Sequence, residues 1–131
     1  MLRQPVSTRG ISTTAGLLIG VMGASAVLLG AFGAHALRDV LDTQHGELWH
    51  TAVNYHVWHA LALALTAGLG QGRGRRIAMA SFALGIVMFS GSLYALALDA
   101  PRWVGIITPL GGLAFIGGWI ALGLSLRTRV D

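Results

Sequence analysis

The chain has 131 residues, of which 54% are hydrophobic and only 11% are charged. Soluble domains carry about 25% charged residues, so this composition excludes an ordinary soluble domain and indicates an integral membrane protein. The chain has no cysteine, which excludes disulfides, thiolate metal sites and cysteine nucleophiles.

Four apolar stretches lie along the chain, at residues 14–37, 51–69, 77–98 and 103–126. Each is close to or above the ~20 residues that a helix needs to cross the hydrocarbon core of a bilayer. Backbone polar groups in lipid find no water, so an open chain can span the membrane only as a helix. Because the connections are short, the sequence predicts an all-α membrane protein: a four-transmembrane-helix antiparallel bundle in one domain over residues 1–131.

The first stretch has an alternative interpretation. Arg3 and Arg9 before it, and Ala34-His35-Ala36 at its end, imitate a secretory signal peptide and its cleavage site. Its ~20 apolar residues exceed the 7–15 of such a peptide, which favours a retained span. Small residues at helical spacing also let helix backbones approach closely in lipid. The helix-packing positions predicted in this stretch are Gly16, Gly20, Gly30 and Gly33.

The second stretch is preceded by a helix start signal. Asp42 and Thr43 are suited to cap a helix N-terminus, and Glu47 follows in the first turn. The second helix is therefore predicted to begin near Thr43, ahead of the part that enters lipid. Trp49 and Trp103 are then expected at a similar depth, as an aromatic belt requires.

The arginines give the orientation. Seven of the nine lie on the side that holds both chain ends and the connection at residues 70–76, and only Arg38 and Arg102 lie on the other. This positive-inside bias places both termini in the cytoplasm. The run GQGRGRR in that connection has an RNA-binding segment as its alternative, but a cytoplasmic loop is favoured and no nucleic acid is expected. The seven are Arg3, Arg9, Arg73, Arg75, Arg76, Arg127 and Arg129.

The last two stretches carry glycine, proline and hydroxyl residues. Pro109 is predicted to kink the fourth helix and to free a backbone carbonyl one turn back, near Gly105. The first and fourth helices are expected to be tightly packed, and leucine at Gly20 or Gly112 to destabilise the bundle more than Leu28→Ala. The packing positions predicted here are Gly91, Pro109, Gly111 and Gly112.

Polar side chains from all four predicted helices reach a similar depth in the outer half of the membrane. Ionisable residues inside spans face the bundle interior and are candidates for function. Tyr55, His56 and His59 share one stripe of the second helix, because residues three and four apart lie on the same face. The predicted cluster is His35, Tyr55, His56, His59, Ser90, Ser92, Tyr94 and Thr108.

Three interpretations of this cluster remain open. In the first, which is favoured, His35 and His59 are neutral, hydrogen-bond across helices to Tyr94 or Ser92, and only stabilise the bundle. In the second, His35, His56 and His59 ligate a metal ion or a haem, although no carboxylate or cysteine lies at their depth. In the third, the cluster lines an outward-facing pocket for a small molecule or a proton. The favoured interpretation predicts no cofactor and no metal.

Four motifs in order resemble a known family. They are GAFGAHALR at 30–38, TAVNYHVWHALAL at 51–63, FSGSLYALAL at 89–98 and ITPLGGLAFIGGW at 107–119. They look like the YgdD-like family of small four-helix bacterial inner-membrane proteins, a domain family of unknown function, and the resemblance covers almost the whole chain after Thr14. It implies the same fold and location, and it brings no activity, cofactor or substrate.

The resemblance also marks signature positions. The place of His56 is more often Gln in that family, and that of Asn54 is more often basic. A metal site that requires His56 would therefore be particular to this chain. The matching signature positions are Gly30, Gly33, His35, Tyr55, His59, Ser90, Gly91, Ser92, Tyr94, Thr108, Pro109, Gly111 and Gly112.

The sequence thus predicts a protein of the bacterial inner (cytoplasmic) membrane that is not an enzyme. Its expected role is that of an accessory or scaffolding protein. The expected partners are the lipid bilayer and either a larger membrane complex or further copies of the chain. The alternative is an outward-facing small-molecule, proton or metal/haem site built on His35 and His59.

Overall fold

The computed structural model describes residues 10–127, which are helical almost throughout and contain no strand. The fold is the predicted all-α membrane bundle of four antiparallel helices. They are α1 (Thr13–His35), α2 (Thr43–Leu69), α3 (Gly72–Ala97) and α4 (Ile107–Leu126), the last preceded by a 3₁₀ segment at Arg102–Ile106.

Three of the described helical segments are long and apolar enough to cross a membrane: α1, α3, and the continuous helix Arg102–Leu126. At 27 residues α2 has the length, but it carries polar side chains that lower its hydropathy. Its histidines His56 and His59 are buried in the bundle. The polarity of α2 therefore reflects its central position, where its side chains face other helices.

The start of α2 agrees with the capping signal in the sequence. The Asp42 side chain accepts a hydrogen bond from the backbone N–H of His45 at 2.8 Å, and the helix begins at Thr43. Trp49, which was predicted at the depth of an aromatic belt, does not face outward: it is only 5% exposed and donates its indole N–H to the carbonyl of Leu29 at 3.0 Å. Trp103 is 64% exposed. The difference arises because Trp49 faces α1, whereas Trp103 lies in the exposed 3₁₀ segment.

Packing is unequal among the helices. α2 packs against α1 on one side and α3 on the other, and α4 packs along α3. The expectation that α1 and α4 are both tightly packed is wrong for α1. Only 6% of the most apolar 18-residue part of α1 is buried inside the bundle. The main core lies between α2, α3 and α4. It consists of Ala62, Leu63, Ala78, Phe82, Ile86, Phe115, Ala121 and Leu122.

The helix α3 contains a π turn at Ile86–Ser90, between the α-helical parts Gly72–Gly85 and Gly91–Ala97. A π turn fits one extra residue into a helical turn. The backbone of α4 makes a very close approach at this point: a Cβ atom on Gly111 would overlap the backbone nitrogen of Phe89 and lie 2.7 Å from its Cα. Any side chain at position 111 of α4 would therefore collide with the backbone of α3 at Phe89.

Four of the predicted packing positions do not lie at tight contacts between helices. A Cβ atom on Gly16, Gly20 or Gly91 would meet no described atom within 4 Å, and one on Gly112 would make ordinary contact with the Phe89 ring at 3.9 Å. The predicted sensitivity of Gly20 and Gly112 to leucine therefore has no basis in these contacts. The spacing of Gly16 and Gly20 suits close packing, but α1 turns this face away from the bundle.

Two other predicted glycines do lie between helices. A Cβ atom on Gly33 would overlap the Trp49 indole, and one on Gly30 would lie 3.3 Å from the Val53 side chain. Both contacts are between α1 and α2. They let the two helices approach closely near the end of α1.

Pro109, where a kink is predicted, lies just after the change from 3₁₀ helix to α-helix. It is the third residue of α4, in the first turn, where a missing backbone N–H costs no hydrogen bond within the helix. The preceding residues up to Ile106 are already wound as a 3₁₀ helix. The change of helix type thus comes before the proline, and the kink itself stays a prediction.

Candidate functional site

One polar connection joins three helices through His56. The Nδ1 atom of His56 on α2 lies 2.9 Å from the hydroxyl of Tyr94 on α3, and its Nε2 atom lies 3.2 Å from Oγ of Ser25 on α1. Ser25 also donates its hydroxyl to the carbonyl of Met22, one turn back, at 3.2 Å. His56 is only 3% exposed, so water does not compete for these bonds.

One tautomer of neutral His56 satisfies all of its partners at once. With a proton on Nε2, His56 donates to the Ser25 oxygen and the Ser25 hydroxyl donates to Met22. Nδ1 is then the acceptor for the Tyr94 hydroxyl. Every polar hydrogen in this chain of contacts has an acceptor when the imidazole is neutral. We therefore assign His56 as the neutral Nε2–H tautomer.

His59 faces a different helix. The indole N–H of Trp119 on α4 donates to Nε2 of His59 at 3.1 Å, and Nδ1 of His59 lies 2.8 Å from the carbonyl oxygen of Tyr55. The ring is stacked on Phe115, with centroids 3.6 Å apart and an angle of 10° between the planes. Since the indole N–H can only donate and the carbonyl can only accept, His59 is the neutral Nδ1–H tautomer.

These contacts correct the predicted partners of His59. Tyr94 was expected to bond to His35 or His59, but it bonds to His56. Although three residues apart, the two buried histidines have partners on different helices. Among the described residues no three His, Cys, Asp or Glu side chains come together as metal ligands. A metal at His59 would have to displace the Trp119 N–H or the Tyr55 carbonyl.

The prediction that His35 faces the interior is wrong. It is the last residue of α1, it is exposed, and its side chain forms no hydrogen bond with another described residue. Gly33 faces Trp49 of α2, and the next residue but one is turned about 200° around the helix. The position of Gly33 therefore directs His35 away from the bundle, and the pairing of His35 with His59 does not occur.

The hydroxyl residues of the cluster connect neighbouring helices near the π turn. Ser90, fully buried, donates to the carbonyl of Ala52 on α2 at 2.7 Å. The oxygens of Ser92 and Thr108 lie 2.6 Å apart, which links α3 to the first turn of α4. These two contacts join α3 to both of its neighbours, as the shared depth of the residues predicted.

Tyr55 lies outside the hydrogen-bonded core, beside a groove. The groove has a volume of about 480 Å³ and runs between α2 and α4, with His59, Phe89, Gly112 and Trp119 in its wall. The Tyr55 ring packs on Phe89 at a centroid distance of 4.5 Å. Tyr55 is therefore an aromatic wall residue, and its side chain is half-buried.

Two residues of the site were missed in the sequence. Neither Ser25 nor Trp119 is among the residues of the predicted cluster. A serine in the middle of an otherwise apolar span was the available signal for Ser25. Trp119 is an indole donor four residues after Phe115, but nothing in the sequence connects it to His59, to which it donates.

A second polar group lies at the end of the bundle, outside the predicted spans. His45 contacts Asp42 through Nδ1 at 2.7 Å and Asp99 through Nε2 at 3.1 Å. This group, which we call the His45 clasp, joins the start of α2 to the α3–α4 connection. The hydrogen bond to Asp42 raises the pKa of His45, and the bond from the backbone N–H of His45 lowers the pKa of Asp42. Both carboxylates therefore favour the charged imidazole.

The His45 clasp is expected to give a pH-dependent stability. A raised folded-state pKa means that the contribution of protonated His45 is complete below its ordinary value of 6.5 and is lost as pH rises through the folded-state value. We expect the melting temperature to fall as the pH rises above about 6.5, and to fall less in Asp99→Asn. Asparagine suits this control because Asp99 has a φ of 66°, which Asn tolerates. An unchanged pH dependence in both Asp99→Asn and His45→Gln would contradict the assignment.

Comparisons with known proteins agree with this fold. Residues 29–112 match the family described as "Protein of unknown function (DUF423)". The UPF0382 membrane protein YwdK of Bacillus subtilis is 45% identical over 112 residues, covering 81% of this chain and 90% of that protein. A UPF0382 membrane protein of Haemophilus influenzae is 42% identical over 108 residues, covering 80% of this chain and 86% of that protein. The UPF0382 inner membrane protein YgdD of Escherichia coli is 38% identical over 109 residues, covering 79% of this chain and 81% of that protein. No solved structure matches. The chain belongs to this DUF423 family of small membrane proteins, as the four motifs predicted.

Proposed function

We propose that the protein is a non-enzymatic accessory or scaffolding component of the bacterial inner membrane. It would act through its lipid-facing surface, as a partner of a larger membrane complex or of further copies of itself. Most of its apolar surface is available for this: α1 contacts the bundle only along one side, and large side chains such as Leu17 and Val27 are 65% and 70% exposed.

The observation that carries this proposal is the state of the two buried histidines. Both ring nitrogens of His56 and both of His59 lie within hydrogen-bond distance of protein atoms. A histidine in a span is a functional candidate by default, but a catalytic or ligating imidazole needs a nitrogen for its substrate or metal. Here each nitrogen already has a partner, so the histidines fit a structural role.

The experiment is purification of the chain from its own membranes in a mild detergent, followed by size measurement, metal analysis and an absorption spectrum. The proposal expects a particle larger than the 13.7 kDa chain with its detergent, without stoichiometric metal or chromophore. A stoichiometric metal or chromophore that disappears with His59→Leu, but not with His35→Leu, would contradict it.

Four spans with both termini in the cytoplasm complete the proposal. α2 ends at Leu69 and α3 begins at Gly72, so only two residues connect the two helices. Arg73, Arg75 and Arg76 therefore lie in the first turns of α3. These arginines lie at the same end of the antiparallel bundle as Arg127. Arg3, Arg9 and Arg129 lie outside the described residues. The positive-inside rule then places this end in the cytoplasm.

Reporter fusions test the topology. A fusion after Arg76 or Arg127 is expected to report the cytoplasm, and one after Asp99 the opposite side, because the arginines collect at one end. A cytoplasmic signal at Asp99 would reverse the orientation. The same compartment at Arg76 and Asp99 would mean that α3 does not span the membrane.

The groove beside Tyr55 favours a second candidate function. A space of about 480 Å³ with aromatic walls, open beside α2 and α4, is suited to a small lipid-soluble molecule. This candidate keeps the predicted small-molecule site at His59, which lies in the wall of the groove. It does not include His35, which does not line the groove. Extraction of the purified protein with organic solvent and mass spectrometry distinguishes it, because Gly112→Leu should fill the groove and release any bound molecule.

A further inference from the structure

A second cavity, which we call the α1–α2 cavity, lies where α1 ends and α2 begins. Its volume is about 240 Å³. It exists because the residues that face each other there have little or no side chain: Gly30, Gly33 and Ala34 on α1, and Gly46 on α2. The Trp49 indole forms part of the wall and is fixed by its bond to the Leu29 carbonyl.

The rim of the α1–α2 cavity carries one permanently cationic side chain, that of Arg38. Arg38 and His50 both line it, and both are exposed. The ion pairs found in residues 10–127 connect His45 with Asp42 and Asp99, and none involves Arg38. No acidic residue is among the described residues that line the cavity. The Arg38 guanidinium is thus a charge without a protein partner there, at the mouth of an otherwise apolar space.

The position and charge identify the class of occupant. Arg38 follows the end of α1 by three residues, and Trp49 lies just before the part of α2 predicted to enter lipid, so we expect the cavity at headgroup depth. A guanidinium matches the geometry of a phosphate with two parallel hydrogen bonds. No acidic side chain lines the cavity to pair with the ammonium group of a zwitterionic headgroup, although Asp39, Asp42 and Glu47 directly follow lining residues in the chain.

We propose that the α1–α2 cavity binds the headgroup of one anionic phospholipid, with Arg38 on the phosphate and His50 as a second donor. The cavity is smaller than the roughly 300–1,000 Å³ of pockets that enclose a drug-sized ligand. It therefore holds a headgroup, while the acyl chains remain in the bilayer. This site is independent of the accessory role proposed above and of the buried histidines.

The test is thermal unfolding of the purified protein in detergent with added short-chain phosphatidylglycerol. A ligand that binds only the folded state raises the melting temperature as its concentration increases. We expect phosphatidylglycerol to raise it more than phosphatidylcholine of the same chain length. Inorganic phosphate at equal concentration is expected to have little effect. Arg38→Gln should weaken the affinity for phosphatidylglycerol by about fivefold or more.

Arg102→Gln is the matched control, because Arg102 is exposed on the same end of the bundle and lines none of the cavities described. It should keep the wild-type response. His50→Gln is a second variant on the rim and should weaken the response in the same direction. An undiminished response in Arg38→Gln, an equal response to phosphatidylcholine, an equal response to inorganic phosphate, or no response to any lipid would each overturn the proposal.

Discussion

Gly111→Ala is expected to destabilise the bundle strongly, whereas the same change at the adjacent Gly112 is expected to have almost no effect. A Cβ atom on Gly111 would overlap the backbone of Phe89, which cannot move aside as a flexible side chain would. Overpacking of a core typically costs about 1–3 kcal/mol and sometimes more, and we expect the upper end of this range. A Cβ atom on Gly112 would make only ordinary contact with the Phe89 ring.

Unfolding of both variants in the same detergent measures the difference. The pair is well matched, because the two glycines are neighbours on one helix and have equal helix propensity. Gly20→Ala is a further control on α1, since a Cβ atom there meets open space. Equal stability of Gly111→Ala and Gly112→Ala would mean that α3 and α4 are not in contact at the π turn.

His56→Leu is expected to destabilise the bundle by about 1–2 kcal/mol, taking roughly 0.6 kcal/mol for an average interhelical hydrogen bond and at most about 1.7. The leucine would remove two such bonds and leave the Tyr94 hydroxyl without its acceptor. His56→Gln should lose less, because an amide both donates and accepts. Gln is also the residue that the family resemblance indicates at this place.

His35→Leu is the control for His56→Leu. Both changes remove an imidazole from the predicted cluster, but His35 is exposed and has no hydrogen bond within the described part of the chain. Its replacement should leave the unfolding temperature unchanged. If His35→Leu and His56→Leu cost the same, the connection through Ser25, His56 and Tyr94 does not contribute to stability.

Features that depend on local chemistry could be predicted from the sequence. The four helices follow from the length of each apolar stretch, and the start of α2 follows from the carboxylate of Asp42 at a capping position. Ser92 and Thr108 were placed at one depth from their distances to the helix ends, and they are in contact. Each of these features depends on the composition of one helix or on the distance of a residue from a helix end, and both can be seen in the sequence.

Features that depend on which way a helix faces could not be predicted. Gly20 and Gly111 both fit a small-residue pattern, but only Gly111 touches another backbone, because α1 is peripheral and α4 is packed along α3. His35 and His56 both fit a polar cluster, and the rotation of α1 set by Gly33 against Trp49 excludes His35. The π turn has no sequence signal of its own, since it reflects competing hydrogen-bond registers of one helix.

The central claim is that His56 and His59 are neutral and engaged by the protein itself. Nitrogen NMR of the protein with ¹⁵N-labelled histidine in bilayers near neutral pH tests it directly, because the two ring nitrogens report which one carries the proton. Spectra of His56→Gln and His59→Gln assign the signals. The account predicts a neutral Nε2–H ring for His56 and a neutral Nδ1–H ring for His59. A charged imidazolium at either position, or an Nε2–H ring at His59, would contradict it.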